Sequence, residues 1–110
     1  MRKAGNEEAN EKKHPDSIHN EELKTIVEKD NEAIVIDVRE QAEFAFHHIP
    51  NAKSIPLGEL DDHLKTLKKE SSYYLVCRTG SRSDLAAQKM VKAGFNNVKN
   101  VLPGMSEWKT

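Results

Sequence analysis

The sequence predicts a single α/β domain with a mainly parallel sheet of about five strands and helices on both faces. Two apolar runs of strand length, Ala33 to Ile36 and Tyr73 to Val76, are typical of strands that are covered on both faces. Segments with helical spacing lie before, between and after these runs. Strands that alternate with helices in this way favour a parallel sheet.

Length, charge and cysteine content restrict the classes of function. The chain has 110 residues, which is enough for one domain with a modest core, and a net charge of −1 gives no reason to expect nucleic acid or an anionic membrane as a partner. No apolar run approaches a membrane span, and no secretory signal is visible. The single cysteine excludes an intramolecular disulfide. We therefore expect a cytoplasmic monomer.

The first sixteen residues differ from the rest in composition. They are rich in charged side chains and contain no large aliphatic or aromatic residue except Met1. Such a stretch cannot bury enough apolar surface to offset its ordering entropy. We predict a disordered polar tail over residues 1–16 and a folded domain over residues 17–110. His14 and His19 lie near the boundary, but two scattered histidines make a poor metal site.

A strand and a helix are predicted to open the domain. Ile18 lies in a short first strand, and Asn20 fits the N-cap of the helix that follows. Leu23, Ile26 and Val27 have the spacing of one apolar helix face. This helix is therefore expected to cover one side of the sheet.

The Ala33 to Ile36 strand brings two charged side chains to its C-terminal end. Asp37 and Arg39 follow it directly, and ligands of open α/β sheets bind at that edge. The same two residues can instead form a structural ion pair, which is the interpretation we favour for Arg39.

The middle of the chain predicts two helices and an edge strand. Gln41 to Phe46 fits a short helix with Phe44 packed inward, and His47 and His48 are neighbours that cannot face one metal ion together on a helix. Ser54 to Leu57 fits an edge strand, because proline is tolerated there. The core stripe of an amphipathic helix follows, formed by Leu57, Leu60, Leu64 and Leu67.

The last third of the chain predicts a helix, a strand and a final turn. A helix with a small-residue face starts near Ser83, and Gly94 followed by Phe95 is typical of its C-cap. Val98 to Val101 fits the last strand. Trp108 is expected to anchor the turn that follows.

Cys77 lies at the junction of the central strand and this helix. Backbone N–H groups and the positive end of the helix dipole converge at such a junction, and Arg78 and Arg82 add two formal charges. All of these favour thiolate, so we predict a pKa of the Cys77 thiol below its free value. A cysteine at a strand end can also be a simple buried hydrophobe. The coincidence with Gly80, the arginines and the helix start favours a reactive thiol.

These residues also carry a family resemblance. Cys77-Arg78-Thr79-Gly80-Ser81-Arg82-Ser83 resembles the active-site loop of the rhodanese family, the single-domain sulfurtransferases. Three further segments resemble the family's motifs and occur in the same order: Asp37-Val38-Arg39, His48-Ile49-Pro50-Asn51-Ala52 and Gly104-Met105-Ser106-Glu107-Trp108. The likeness runs from about Ile18 to Trp108. Family glycines are replaced by His47, Asn51 and Pro103, and asparagine is well able to replace glycine at positive φ.

The resemblance implies a rhodanese-like three-layer domain and a specific chemistry. Cys77 would attack the outer sulfur of thiosulfate or a persulfide donor and so become a persulfide. An external thiol, a protein acceptor or cyanide would then take the outer sulfur from Cys77. The anionic donor would be bound by the loop residues Arg78, Thr79, Gly80, Ser81, Arg82 and Ser83. Asp37 would lie beside the loop and help to hold it, and Arg39 would lie with it outside the layer of residues that touch the donor. The reaction implies no metal and no organic cofactor.

Two other functions remain open at this point. A cysteine phosphatase or arsenate reductase of related fold resembles this pattern, but its essential arginine would fall at Ser83, one residue beyond Arg82. A non-catalytic rhodanese-like binding module is the second, because fold does not fix function. The intact Cys77 and the paired arginines favour the enzyme.

Overall fold

A computed structural model describes residues 15–109. It contains five strands: β1 (Asp16–His19), β2 (Ile34–Asp37), β3 (Lys53–Ser54), β4 (Ser72–Val76) and β5 (Asn97–Leu102). Its helices are α1 (Asn20–Lys29), α2 (Gln41–Phe46), α3 (Leu60–His63) and α4 (Ser81–Lys92), with two 3₁₀ turns at Leu57–Glu59 and Met105–Glu107. The tail predicted for residues 1–16 lies almost entirely outside the described residues.

The five strands form one parallel sheet. Their order is β1-β5-β4-β2-β3, and every neighbouring pair is parallel. Strand β4 is therefore central, with β5 on one side and β2 on the other. The predicted α/β class and the five-stranded parallel sheet are confirmed.

Each face of the sheet has its own apolar core. On one face, Leu75 of β4 packs with Leu60 of α3 and with Ala86 and Met90 of α4. On the other face, Val76 of β4 packs with Leu23 of α1. Alternation along β4 sends successive side chains to opposite cores. The Cys77 side chain thus belongs to the α4 face, where it joins the first core.

Two helix starts differ from the prediction. The N-cap of α1 is His19, whose Nδ1 accepts from the Glu21 N–H at 3.1 Å. Asn20 is instead the first helical residue, because its side chain is held by a distant partner described below. Helix α4 begins at Ser81, two residues before the predicted start, because Gly80 supplies the left-handed cap with φ 101°.

The predicted leucine helix is interrupted, although its buried face is correct. Leu60 is fully buried and Leu57, Leu64 and Leu67 pack partly buried on the same core. Only Leu60–His63 is α-helical. The hydroxyl of Thr66 donates to the His63 carbonyl at 3.1 Å, and such side-chain bonds to the backbone compete with a continuing helix.

Smaller features follow local chemistry. Strand β3 ends at Ser54, before the proline that the sequence placed inside it. Asn51 has φ 70°, the conformation for which asparagine was expected to replace glycine. Gly94 has φ 99° and caps α4, with the Phe95 N–H donating to the Met90 carbonyl at 3.0 Å. Over residues 15–109, no helix is long and apolar enough to cross a bilayer.

Candidate active site

The site lies where the central strand ends. Strand β4 stops at Val76, and four residues separate it from the first turn of α4. This is the C-terminal edge of a parallel sheet, where the backbone N–H groups of the helix start are unpaired. Cys77 begins this connection and is only 1% exposed. The sequence placed the cysteine correctly.

Three hydrogen-bonding groups converge on the Cys77 sulfur. The Gly80 N–H donates to Sγ at 3.1 Å and the Ser83 N–H at 3.3 Å. The Ser83 hydroxyl lies 3.3 Å from the same sulfur. Backbone donors fixed by a helix start do not have to reorganise when charge appears on the sulfur. The connection is therefore arranged to hold a sulfur anion.

The pKa of Cys77 follows from the balance between burial and these bonds. Burial raises the pKa of the thiol, but hydrogen bonds from the Ser83 side chain and from the backbone of Ser83, Gly80 and Thr79 lower it. The net shift is downward from the ordinary cysteine value, as predicted. Hydrogen bonds carry this shift, whereas the sequence attributed part of it to the two arginines.

Gly80 is required by the shape of the loop. Its φ of 101° is in the left-handed region, and a Cβ there would collide with the Leu102 side chain. Only glycine adopts this conformation without strain. Its N–H faces the sulfur, and its carbonyl accepts from the Asn100 side chain at 3.1 Å.

The C-terminal segment supports the loop from behind. The Met105 N–H donates to the Cys77 carbonyl and the Ser106 N–H to the Arg78 carbonyl, each at 2.9 Å. Gly104 permits this approach, because a Cβ there would lie 2.5 Å from the Cys77 carbonyl oxygen. The Asn20 side chain clamps Gly104, accepting from its N–H at 3.1 Å and donating to its carbonyl at 3.0 Å.

The two loop arginines have different surroundings. Arg82 forms a two-pronged ion pair with Glu43 of α2, with N···O distances of 2.9 and 3.2 Å. This contact lowers the pKa of Glu43 to about 2 and raises that of Arg82. A charge on Cys77 also contributes to the raised pKa of Arg82. Arg78 is exposed.

The remaining predicted residues fall into two groups. Thr79 and Ser81 are exposed on the loop beside Arg78. Asp37 and Arg39 are buried and bind each other, with the Arg39 Nη2 2.8 Å from the Asp37 Oδ2. The same guanidinium nitrogen donates to the His47 carbonyl at 2.6 Å. The structure thus places the ion pair that we favoured for Arg39, and support of the loop by Asp37 stays a prediction.

Comparison with known proteins identifies the family. The model of the rhodanese-like domain family matches residues 19–110. The chain belongs to the rhodanese-like family.

Relatives and solved structures agree with that assignment. YrkF of Bacillus subtilis, whose name describes a sulfur carrier protein, is 37% identical over 98% of this chain, which spans 58% of YrkF. YtwF of the same organism carries the name of a sulfurtransferase and is 39% identical over 79% of this chain and 84% of its own length. A rhodanese-like domain protein from Staphylococcus aureus superimposes with a TM-score of 0.80 at 35% identity, covering 86% of this chain and 91% of its own.

Three residues of this rhodanese-like domain escaped the sequence analysis. Asn100 contacts both Ser83 and Gly80, Glu43 holds Arg82, and Asn20 holds Gly104. The sequence could have indicated Asn100, because alternation along β5 puts this polar side chain on the same face as the buried Val98. Glu43 and Asn20 left none, since both resemble ordinary helix residues. Over residues 15–109, no cluster of three or more potential metal ligands occurs.

Proposed function

We propose that the protein is a sulfurtransferase that moves a sulfane sulfur from thiosulfate or a persulfide donor to a thiol or cyanide acceptor through a persulfide on Cys77. One observation carries this proposal. The buried Cys77 sulfur faces two backbone N–H donors and one hydroxyl, an arrangement suited to sulfur that stays anionic. The names of the relatives, a sulfur carrier and a sulfurtransferase, support the same class of reaction.

The first half-reaction loads the cysteine. The Cys77 thiolate attacks the outer sulfur of thiosulfate, forming a new S–S bond while the S–S bond of the donor breaks. Sulfite leaves with the electron pair of the broken bond, and the persulfide carries its one negative charge on the outer sulfur. No net oxidation or reduction is required. The lowered pKa of Cys77 increases the fraction of thiolate that starts this step.

The second half-reaction removes the outer sulfur from Cys77. An external thiolate or cyanide attacks the outer sulfur, and the Cys77 thiolate departs as the leaving group. A leaving thiol of low pKa leaves faster, so the bonds that stabilise the thiolate serve both steps. The only cysteine of the chain is Cys77, so no second thiol of these 110 residues can accept the sulfur. We propose a small thiol or a protein acceptor in that role.

The remaining loop residues would bind the anionic donor. Arg78 is exposed and is suited to attracting thiosulfate from solution. Arg82 is suited to stabilising charge close to the sulfur. Thr79 and Ser81 offer polar groups at the mouth beside Gly80. Asp37 would act indirectly, by fixing the end of β2 beside the loop.

Mass spectrometry tests the proposal most directly. We expect intact protein treated with thiosulfate to gain the mass of one sulfur atom, confined to Cys77, and to lose it on addition of cyanide with formation of thiocyanate. The control is Cys77→Ser, which should stay folded and unmodified. A protein that gains no sulfur from thiosulfate or from glutathione persulfide would contradict the proposal. Hydrolysis of an aryl phosphate by the wild type, lost in Cys77→Ser, would point to a phosphatase instead.

A further inference from the structure

The Ser83 hydroxyl lies between two groups that both accept hydrogen bonds. Its Oγ is 3.3 Å from the Cys77 sulfur and 2.5 Å from the Asn100 Oδ1. Ser83 is fully buried and Asn100 is 4% exposed. A serine hydroxyl carries one proton and can donate it to only one of these neighbours at a time.

The orientation of the Asn100 amide is fixed by its other contact. The Gly80 carbonyl lies 3.1 Å from the second branch of the amide, and a carbonyl oxygen only accepts. The NH₂ group must therefore face Gly80, which leaves the amide oxygen facing Ser83. An amide oxygen cannot donate. The short contact between Ser83 and Asn100 is thus made with the serine proton.

We propose that Asn100 is a positioning residue that holds the Ser83 proton while Cys77 is a neutral thiol and releases it to the sulfur when the thiolate forms. In the thiol, a chain runs from the Cys77 S–H to the Ser83 oxygen and from the Ser83 O–H to Asn100. When the thiol proton leaves to solvent, the sulfur can only accept. The hydroxyl then rotates toward the sulfur, and the Asn100 oxygen loses its donor. No covalent bond other than S–H breaks.

This arrangement makes Asn100 a competitor of the thiolate. A hydrogen bond to a charged acceptor is stronger than one to a neutral amide, so the hydroxyl follows the charge. The release of Asn100 opposes part of that gain. A less stabilised thiolate is a stronger nucleophile.

The competition has a consequence for the cycle, which rests on the proposed sulfurtransfer. Once the persulfide forms, the charge has moved to the outer sulfur and the inner sulfur is a poor acceptor. The hydroxyl then returns to Asn100. Asn100 therefore favours the loaded cysteine over the free thiolate.

Charged groups around the sulfur bear on any such titration. The first turn of α4 carries Asp84 and also Arg82, which is paired with Glu43 of α2. The loop carries Arg78, and β2 ends in the closed Asp37–Arg39 pair. The polar neighbour from β5 is Asn100 itself. All of these charges are unchanged in the variants used below, so they form a constant background.

The test follows the rate of iodoacetamide alkylation of Cys77 against pH. We expect Ser83→Ala to raise the midpoint and Asn100→Leu, which keeps the branched shape without an acceptor, to lower it. Each change should correspond to about a tenfold shift in the thiol–thiolate equilibrium. In the double variant, the alkylation midpoint should equal that of Ser83→Ala alone, because without the hydroxyl Asn100 has nothing to compete for. If Asn100 had a purely structural role, Asn100→Leu would change the alkylation midpoint equally in the wild type and in Ser83→Ala.

The outcomes separate the alternatives. A midpoint that rises or stays constant in Asn100→Leu, or that changes equally with and without Ser83, overturns the proposal. Asn100→Ala repeats the comparison if the leucine variant does not fold. In the wild type, the side-chain carbonyl carbon of Asn100 should shift in NMR spectra at the Cys77 midpoint and lose most of that movement in Ser83→Ala. A constant wild-type signal also overturns the proposal. Alkylation needs no sulfur donor, so these results stand even if sulfurtransfer fails.

Discussion

Two buried polar clusters follow neighbouring central strands and differ in one respect. After β2, both oxygens of Asp37 accept hydrogen bonds from Arg39. After β4, one proton of Ser83 serves both Cys77 and Asn100. The first cluster, the Asp37–Arg39 pair, has a donor for each acceptor. The second, the Cys77–Ser83–Asn100 cluster, has one hydroxyl proton between two possible acceptors and so can change state.

The difference shows where chemistry and stability reside in this fold. A fully matched buried pair holds one arrangement, and breaking it leaves a charge without a partner. A cluster with a shared proton has two arrangements, and a change of charge on the sulfur can select between them. Alternation in the strands also separates them, because Asp37 follows the face of Val35 and Cys77 that of Leu75. Variants of the two clusters should accordingly fail in different ways.

The largest expected effect is on stability, from opening the Asp37–Arg39 pair. Asp37→Asn would place an amide NH₂ against a buried guanidinium and should lower the free energy of unfolding by about 3–5 kcal/mol. Urea denaturation measures it. The matched control is Asp61→Asn, which breaks the exposed pair with Lys89 and should change stability by about 0–1 kcal/mol. Equal effects of the two substitutions would mean that the buried pair is no more than a surface contact.

Gly104→Ala should damage the frame of the Cys77–Ser83–Asn100 cluster. Its φ of 101° is strained for alanine, and the new Cβ would press against the Cys77 and Arg78 carbonyl oxygens. We expect a loss of about 1–3 kcal/mol in stability and a raised alkylation midpoint of Cys77. Gly58→Ala is the control, since a Cβ there meets nothing within 4 Å. A Gly104→Ala protein with wild-type stability and midpoint would show that the loop does not depend on this close approach.

The sequence predicted much of this fold for a physical reason. The continuous apolar runs of β2 and β4 require cover on both faces, and the Gly94 cap has a local backbone cause. The same applies to Cys77, because the strand, Gly80 and the helix start are neighbours along the chain. Local chemistry is visible in a sequence.

Long-range partners are not visible in the same way. Asn20 was expected to cap α1, a local role, but its side chain is engaged by Gly104, 84 residues away. The Arg82–Glu43 contact joins residues 39 positions apart. The pairing of a charged or amide side chain with one distant partner depends on the finished fold. The sequence therefore located Cys77 at the end of the central strand and missed the residues that surround it.

The two arginines give the next largest effect, on activity. We expect Arg82→Ala to lower kcat about tenfold as well as to weaken thiosulfate binding, because a charge on Cys77 and the charge of Arg82 favour each other. Arg78→Ala, which removes an exposed charge, should mainly raise KM. Steady-state sulfurtransfer from thiosulfate to cyanide separates the two. Full turnover of Arg82→Ala at saturating thiosulfate would contradict this division of roles.

The smallest effect concerns Glu43, whose pair with Arg82 is matched like the Asp37–Arg39 pair but partly exposed. The Arg82 hydrogen bonds lower the pKa of Glu43 from 4.5 to about 2, so the folded state favours the ionised carboxylate. The resulting stability is fully present above pH 4.5 and is lost as the pH falls toward 2. Both side chains are about one-third exposed, so solvent screening limits the contribution to about 1 kcal/mol or less.

Glu43→Gln should therefore be slightly less stable than wild type at pH 7, and the difference should close as the pH falls from 4.5 toward 2. Urea denaturation across that pH range measures it, with Glu59→Gln as an exposed acidic control. The substitution also frees Arg82 from its partner, so we expect the KM for thiosulfate to change. A stability gap between Glu43→Gln and wild type that stayed constant down to pH 2 would mean that Glu43 acts by packing and not by charge. The Glu43–Arg82 pair would then differ from both buried clusters, because its charges would not contribute to stability.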